Sequence, residues 1–298
     1  MRLFVIYALV GLAAQLVDGS LGMGYGVTST TLLVASSVSP AAASASVHLA
    51  EIGTSLVSGA AHWRFGNVDW GVVARIGLPG AVGAFAGATV LSGLSTEAAA
   101  PWTAGLLLAL GVYILSRFTF RPPTATATRP KPGWRFLTPL GLVAGFVDAT
   151  GGGGWGPIAN TTLIGSGRLA PRKAIGSVNT SEFVVTVAAS IGFFFGLGGA
   201  GLHWTAVGAL LLGGLVAAPV AAWLVHRLPT AVLGTGVGGL VILTNTRTLL
   251  RAYEVGGGWS TVVYLAIVAV WITAVTVSVR IARSAPEAGT KAPVPDRA

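Results

Sequence analysis

The sequence predicts an all-α polytopic membrane protein: two inverted-topology repeats, each a glycine-broken helical hairpin followed by about three transmembrane helices, plus one extra C-terminal helix. Three observations carry this. Of 298 residues, 53% are apolar and only 9% charged, where a soluble chain carries roughly 25%. Mean hydropathy is +0.77. Apolar runs with at most one charged residue, near the roughly 20 residues that span a bilayer, recur at 41–61, 72–92, 101–116, 174–196, 205–225, 231–245 and 260–279. They are continuously apolar, not alternating, so they read as helices and not strands. Finally, the phrase VDGSLGMGYGVTSTTLL from Val17 returns as VDATGGGGWGPIANTTLI from Val147.

The first element is the segment 3–37. It is too short for two generous spans and is broken by glycines and Asp18, so it reads as a pair of half-helices dipping in and out of one side. Glycine costs roughly 0.5–1 kcal/mol relative to Ala inside a helix. Gly22, Gly24 and Gly26 therefore suit a sharp turn or a close approach to a ligand. A half-helix starting there presents N–H groups and a positive dipole end, which suit an anion. Tyr25 sits within the phrase, and Thr30 and Thr31 follow as neutral donors. Two plainer readings stay open: glycines for close helix packing, and Asp18 as a cap for the following half-helix.

The next span starts near Pro40 and carries Ser46, His48 and Glu51. At roughly 1.5 Å per residue, Glu51 falls near mid-membrane, where charge is expensive and usually functional. His48 and Glu51, three apart, share a helix face. Such a pair occurs in helical metal sites, but one pair is weak evidence and the chain has no cysteine. A proton role is more natural, since His titrates near neutrality. No metal or cofactor is expected. The run from His62 to Trp70 reads as an interface loop with Trp63 and Trp70 at headgroup level. Spans 72–92 and 101–116 complete the first repeat, taken as 1–118. The linker 119–135 holds Arg121, Arg129, Lys131 and Arg135 and belongs in the cytoplasm.

The second repeat, 136–254, matches the first residue by residue. Asp148 answers Asp18, and Gly152, Gly154 and Gly156 answer Gly22, Gly24 and Gly26, with Trp155 among them. After one inserted residue, Thr161 answers Thr30, preceded by Asn160. Pro171, Ser177, Asn179 and Glu182 answer Pro40, Ser46, His48 and Glu51. The sequon at Asn160 lies in an apolar segment and is discounted. Residues 255–282 form a helix without a counterpart, and 283–298 a basic tail expected to be disordered and cytoplasmic.

Basic loops orient the repeats. With the linker inside, the His62–Arg64 loop and the turn holding Arg168, Arg172 and Lys173 also fall inside. The uncharged turn 37–40 and the loop 198–203 fall outside. Equivalent loops thus lie on opposite sides, as in an inverted repeat. Arg247 and Arg251 land outside, against the rule. Short, glycine-interrupted segments at matching places in two halves point to a transporter binding site.

The net charge of +9 would suggest nucleic acid in a soluble chain; here it follows from membrane topology. No cleavable signal is expected, because the run after Arg2 leads straight into the first motif. No nucleotide-binding loop of the Gly-x-x-x-x-Gly-Lys-Ser/Thr type occurs, so ATP drive within this chain is not expected.

With these residues assembled, the chain resembles the TauE/SafE family, the sulfite exporter family of bacterial membrane transporters, over residues 5–250. The resemblance rests on VDGSLGMGYGVTSTTLL, PAAASASVHLAE, SGAAHWRFGNVDW and VDATGGGGWGPIANTTLIGSGRLAPRKAIGSVNTSEF. It implies an inner-membrane permease that exports sulfite or organosulfonates such as sulfoacetate. Met23 and Tyr25 stand where many members have more glycine, so the two halves are expected to line the site unequally. The expected substrate-binding residues are Gly22, Gly24, Tyr25, Gly26, Thr30, Thr31, Ser46 and His48, with Gly152, Gly154, Trp155, Gly156, Asn160, Thr161, Ser177 and Asn179. Asp18, Glu51, Asp148 and Glu182 are the expected coupling or gating groups. Expected partners are a small anionic substrate and membrane lipid, not nucleic acid, with a homodimer left open. An intramembrane enzyme acting on a lipid phosphate, or an anion channel, remains an alternative.

Overall fold

The computed structural model describes residues 1–21, 23–120, 130–224 and 230–284. Gly22, most of the linker and the tail from 285 lie outside them. The described residues form eleven α-helices and no strand. In the first half these are α1 (Arg2–Leu21), α2 (Tyr25–Ala35), α3 (Pro40–Arg64), α4 (Trp70–Ser92) and α5 (Thr96–Phe120). The second half holds α6 (Trp134–Gly151), a π-helical turn Gly156–Asn160 running into α7 (Thr161–Gly165), α8 (Pro171–Leu197), α9 (Trp204–Leu224) and α10 (Thr230–Ala252). Helix α11 (Gly258–Ser284) follows.

Local chemistry sets these boundaries. Pro40 and Pro171 open α3 and α8 at the first helical position, where a missing N–H costs nothing and φ is already helical. Asp69 caps α4, accepting from Gly71 N at 3.1 Å and Val72 N at 3.3 Å. Four described helices are long and apolar enough to cross a membrane: α4, α5, α8 and α11. The chain is a multi-pass membrane protein, and much of its exposed surface is apolar: Leu78, Val82, Phe195, Leu265 and Ile272 are all exposed. A hydrocarbon solvent permits this outward apolar surface.

One expectation needs correction. The hairpins are not pairs of half-helices. Their first arms are long, 20 residues in α1 and 18 in α6, about 27–30 Å at the helical rise. Their second arms are short: α2 has 11 residues, and the π-turn with α7 is equally brief. Mostly apolar sequence carries the first arm past its isolated Gly11 or Gly141 up to the glycine cluster, so the break falls at its end.

The halves pack with exchanged partners. Helix α4 lies along α6, and its counterpart α9 lies along α1. Helix α3 meets α8, and α5 meets α10. Both exchanged contacts are backbone-close. A Cβ on Gly87 of α4 would sit 2.7 Å from Phe146 O of α6, and one on Gly11 of α1 would sit 2.8 Å from Leu210 Cα of α9. Close packing through small residues is thus a real use of glycine in this chain. It recurs at α5–α10, where a Cβ on Gly238 would sit 2.7 Å from Leu115 N.

The basic segments expected in the cytoplasm meet on one face. Lys131 Nζ of the linker pairs with Asp69 Oδ2 at 2.9 Å. Lys173 Nζ donates to Val68 O at 3.1 Å. The Arg168 guanidinium stacks over Phe136 at 5.3 Å. Partial burial pushes the Asp69 carboxyl up, but the Lys131 hydrogen bond, the Val72 and Gly71 N–H groups and the Lys131 charge outweigh it and hold it below the ordinary carboxylate range.

Candidate functional site: two glycine breaks around a small acidic cavity

The site is built from the ends of the long arms. Helix α6 ends with Gly152 at φ +70°, followed by Gly153 at φ +155°. In the first half Gly24 stands at φ +113° before α2. Only glycine adopts such backbone without strain. The two breaks also touch, backbone against backbone. A Cβ on Gly26 would lie 2.7 Å from Gly153 Cα and 2.9 Å from Gly152 O. Thr30 Oγ1 of α2 donates to Gly152 O at 2.5 Å, tying the first short arm to the second break.

The aspartates hold the short arms. Asp148 Oδ1 accepts from Gly154 N at 2.7 Å and Trp155 N at 3.0 Å. Asp18 Oδ1 accepts from Tyr25 N at 3.4 Å. A carboxylate on otherwise unpaired first-turn amides satisfies them and favours the helix dipole. Asp148 Oδ2 also meets His48 Nε2 at 3.1 Å, joining α3 to α6.

Between the breaks lies a cavity of about 10 Å³, room for about one water. Its lining comprises Gly24, Tyr25, Gly26 and Val27 from the first break, Gly153 to Pro157 from the second, and Asp148, Glu51 and Glu182. The glutamates arrive from equivalent positions on α3 and α8. No lining residue is Arg or Lys. Three carboxyls, with Asp148 already bound to the second helix start, and the backbone of two helix starts therefore set its chemistry. Carboxyl and N–H donors could hold a small oxyanion there, provided the glutamates bring protons. An unpaired charge is costly in such a place.

Of the expected substrate-binding residues, Gly24, Tyr25, Gly26, Gly154, Trp155 and Gly156 line this cavity. Gly22 lies outside the described residues. The remainder are buried or partly buried around it with other partners. Thr31 Oγ1 accepts from Asn245 Nδ2 at 3.0 Å. Ser46 Oγ donates to Ala42 O at 2.7 Å. Thr161 Oγ1 donates to Pro157 O. Ser177 Oγ accepts from Asp69 N at 2.8 Å. His48 is spent on Asp148 and on Ser44 O, 2.8 Å from Nδ1. Asn179 Nδ2 lies 3.4 Å from Ser58 Oγ and 3.5 Å from His62 Nε2. Asn160 is fully buried. Gly152 shapes the turn without lining the cavity. Of the four acids, Glu51, Asp148 and Glu182 line it, while Asp18 stands behind Tyr25.

Sequence reasoning missed several contributors. Val27 and Pro157 line the cavity at repeat-equivalent positions, one residue after Gly26 and Gly156. The duplicated phrase held that signal. The backbone acceptors Ala149 O, which takes a hydrogen bond from Ser44 Oγ at 2.7 Å, and Val178 O, which takes one from Trp155 Nε1 at 3.1 Å, also had no signal. Asn245, from the far end of α10, had no signal in the motif.

Comparison with known proteins identifies the family. The family model described as "Sulfite exporter TauE/SafE" matches residues 7–248, which include both breaks and both glutamates. A curated relative from Bacillus subtilis (strain 168), "Probable membrane transporter protein YtnM", is 47% identical over 276 residues, covering 92% of each chain. No solved structure matches the chain. A duplicated helical bundle with paired glycine breaks and a match over nearly its whole length make this chain a member of the TauE/SafE family, a multi-pass membrane transporter of a small molecule and not an enzyme.

Proposed function

We propose that the chain is a secondary transporter exporting small sulfur-containing anions, sulfite or organosulfonates of the sulfoacetate kind, across the bacterial inner membrane with proton coupling. One observation carries the reading: both glycine breaks and both mid-helix glutamates line a single cavity. The oxyanion binds between the breaks, on first-turn N–H groups and the carboxyl groups of Glu51 and Glu182. Because no Arg or Lys lines the cavity, each glutamate carries a proton while the anion is bound, and this links anion movement to proton movement. A cavity of about one water is too small for sulfite. Entry therefore needs the breaks to move apart, which suits a carrier with alternating access better than an open anion channel. The meeting of Lys131, Lys173 and Arg168 on one face supports an inverted repeat with the linker in the cytoplasm; the basic tail is placed there by its charge alone.

The test is thermal stability of the purified protein against sulfite, thiosulfate, sulfoacetate, taurine, phosphate and acetate, followed by flux of any binder into proteoliposomes. A ligand that binds only the folded state raises stability with the logarithm of its concentration. Stabilisation selective for sulfite or sulfonates, with saturable flux, is expected. No shift with any anion, in folded protein, would remove the anion site.

A further inference from the structure

The two halves are not equivalent where they hold their glycine breaks. In the second half the break is tied at several points. Asp148 bonds Gly154 N, Trp155 N and His48 Nε2. His48 is held in turn by Ser44 O and packs its ring 5.9 Å from that of Phe193. It is fully buried. Ser44, one turn before it on α3, donates to Ala149 O. Side chains of α3 thus grip both the end of α6 and the aspartate that caps the short arm. In the first half Asn179 replaces His48. Its side chain turns to Ser58 and His62 and has no described contact with Asp18. Asp18 Oδ1 accepts from Tyr25 N at 3.4 Å, and the first short arm is held instead by Tyr25 Oη, which donates to Leu210 O at 3.0 Å, and by Thr30, which donates to Gly152 O.

We infer that His48 is a positioning residue: acting through Asp148, it locks the second glycine break to α3. The reach of the side chain is what matters. Nε2 lies at the far edge of the imidazole, and an asparagine at the same place is too short to meet the carboxylate. The two halves therefore differ at this position in how the capping aspartate is held. This lock does not rest on the transport reading.

Backbone hydrogen–deuterium exchange of the full chain in lipid nanodiscs tests this without any substrate. The amides of Gly154 and Trp155, both bonded to Asp148, should exchange slowly. His48→Ala should speed exchange at 154 and 155 by about tenfold or more, as expected when a buried hydrogen-bonded carboxylate loses its anchor, while leaving 25–27 and the interior of α4 unchanged. His48→Gln, whose amide nitrogen reaches a similar distance, should restore the protection; His48→Asn should not. Fast exchange at 154 and 155 in the wild type would overturn the lock. Unchanged exchange at 154 and 155 in His48→Ala, or equal rescue by Asn, would overturn the positioning role. If His48→Ala fails to fold, the contrast between the Gln and Asn variants decides the same point. Failure of transport assays would leave these outcomes untouched.

Discussion

Replacing Gly26 by Ala adds one methyl group where the two breaks touch. That methyl would stand 2.7 Å from Gly153 Cα, 2.9 Å from Gly152 O and 3.2 Å from Glu51 Oε1. Ordinary contact begins near 3.4 Å, so the backbones must separate by about 0.7 Å. Neither side gives easily. Gly152 O is held by Thr30, and the chain beyond Gly153 is held by Asp148. Overpacking a tight site costs about 1–3 kcal/mol. At about 2–4 °C per kcal/mol for a chain of this size, melting should fall by about 2–12 °C. Gly208→Ala is the control. Its Cβ meets nothing within 4 Å in α9, and Ala in a helix interior is favoured over Gly by about 0.5–1 kcal/mol. The assay is thermal unfolding of both variants in one detergent, followed by uptake into proteoliposomes. Gly26→Ala should melt lower and transport more slowly, and Gly208→Ala should do neither. Wild-type melting in Gly26→Ala would refute the backbone contact between the breaks.

Three further outcomes follow from particular contacts. Glu182→Gln should impair transport more than folding and flatten its pH dependence; normal pH-dependent flux would remove Glu182 from coupling. Thr30→Val deletes the donor to Gly152 O and should cost about 1–3 kcal/mol in denaturant unfolding, as for a buried acceptor left unpaired, whereas Thr273→Val on exposed α11 should cost little. The Asp69 carboxyl, held below its ordinary value by Lys131 and two amides, contributes stability fully above about pH 3.9 and loses it as pH falls through its lower folded value. Melting followed below pH 4 should therefore show a wild-type loss that Asp69→Asn lacks.

Much of this was legible in the primary structure. Composition alone required a membrane protein, because so few charges over so many residues cannot cover a soluble surface. The repeated phrase marked Gly24, Gly26, Gly154 and Gly156 as special. The equal distance of Glu51 and Glu182 from their prolines gave them the same depth, because the helical rise is constant. Prolines and the Asp69 cap set the helix starts from local chemistry. Glycine's two uses, close packing and broken backbone, could not be separated by type. The structure assigns packing to Gly11 and Gly87 and the break to Gly24, Gly152 and Gly153, since only the partner backbone shows what a Cβ would strike.

Class, the repeated phrase and the matching positions of the two glutamates were readable in the chain, because these depend on composition and on spacing along one chain. That the two breaks touch, and that Val27 and Pro157 face the same cavity, came only from the packed molecule. It also decided that His48 serves Asp148 and does not line that cavity. Those facts depend on which surfaces of different helices meet. A periodicity within one helix fixes the face a residue occupies, not the neighbour it finds there.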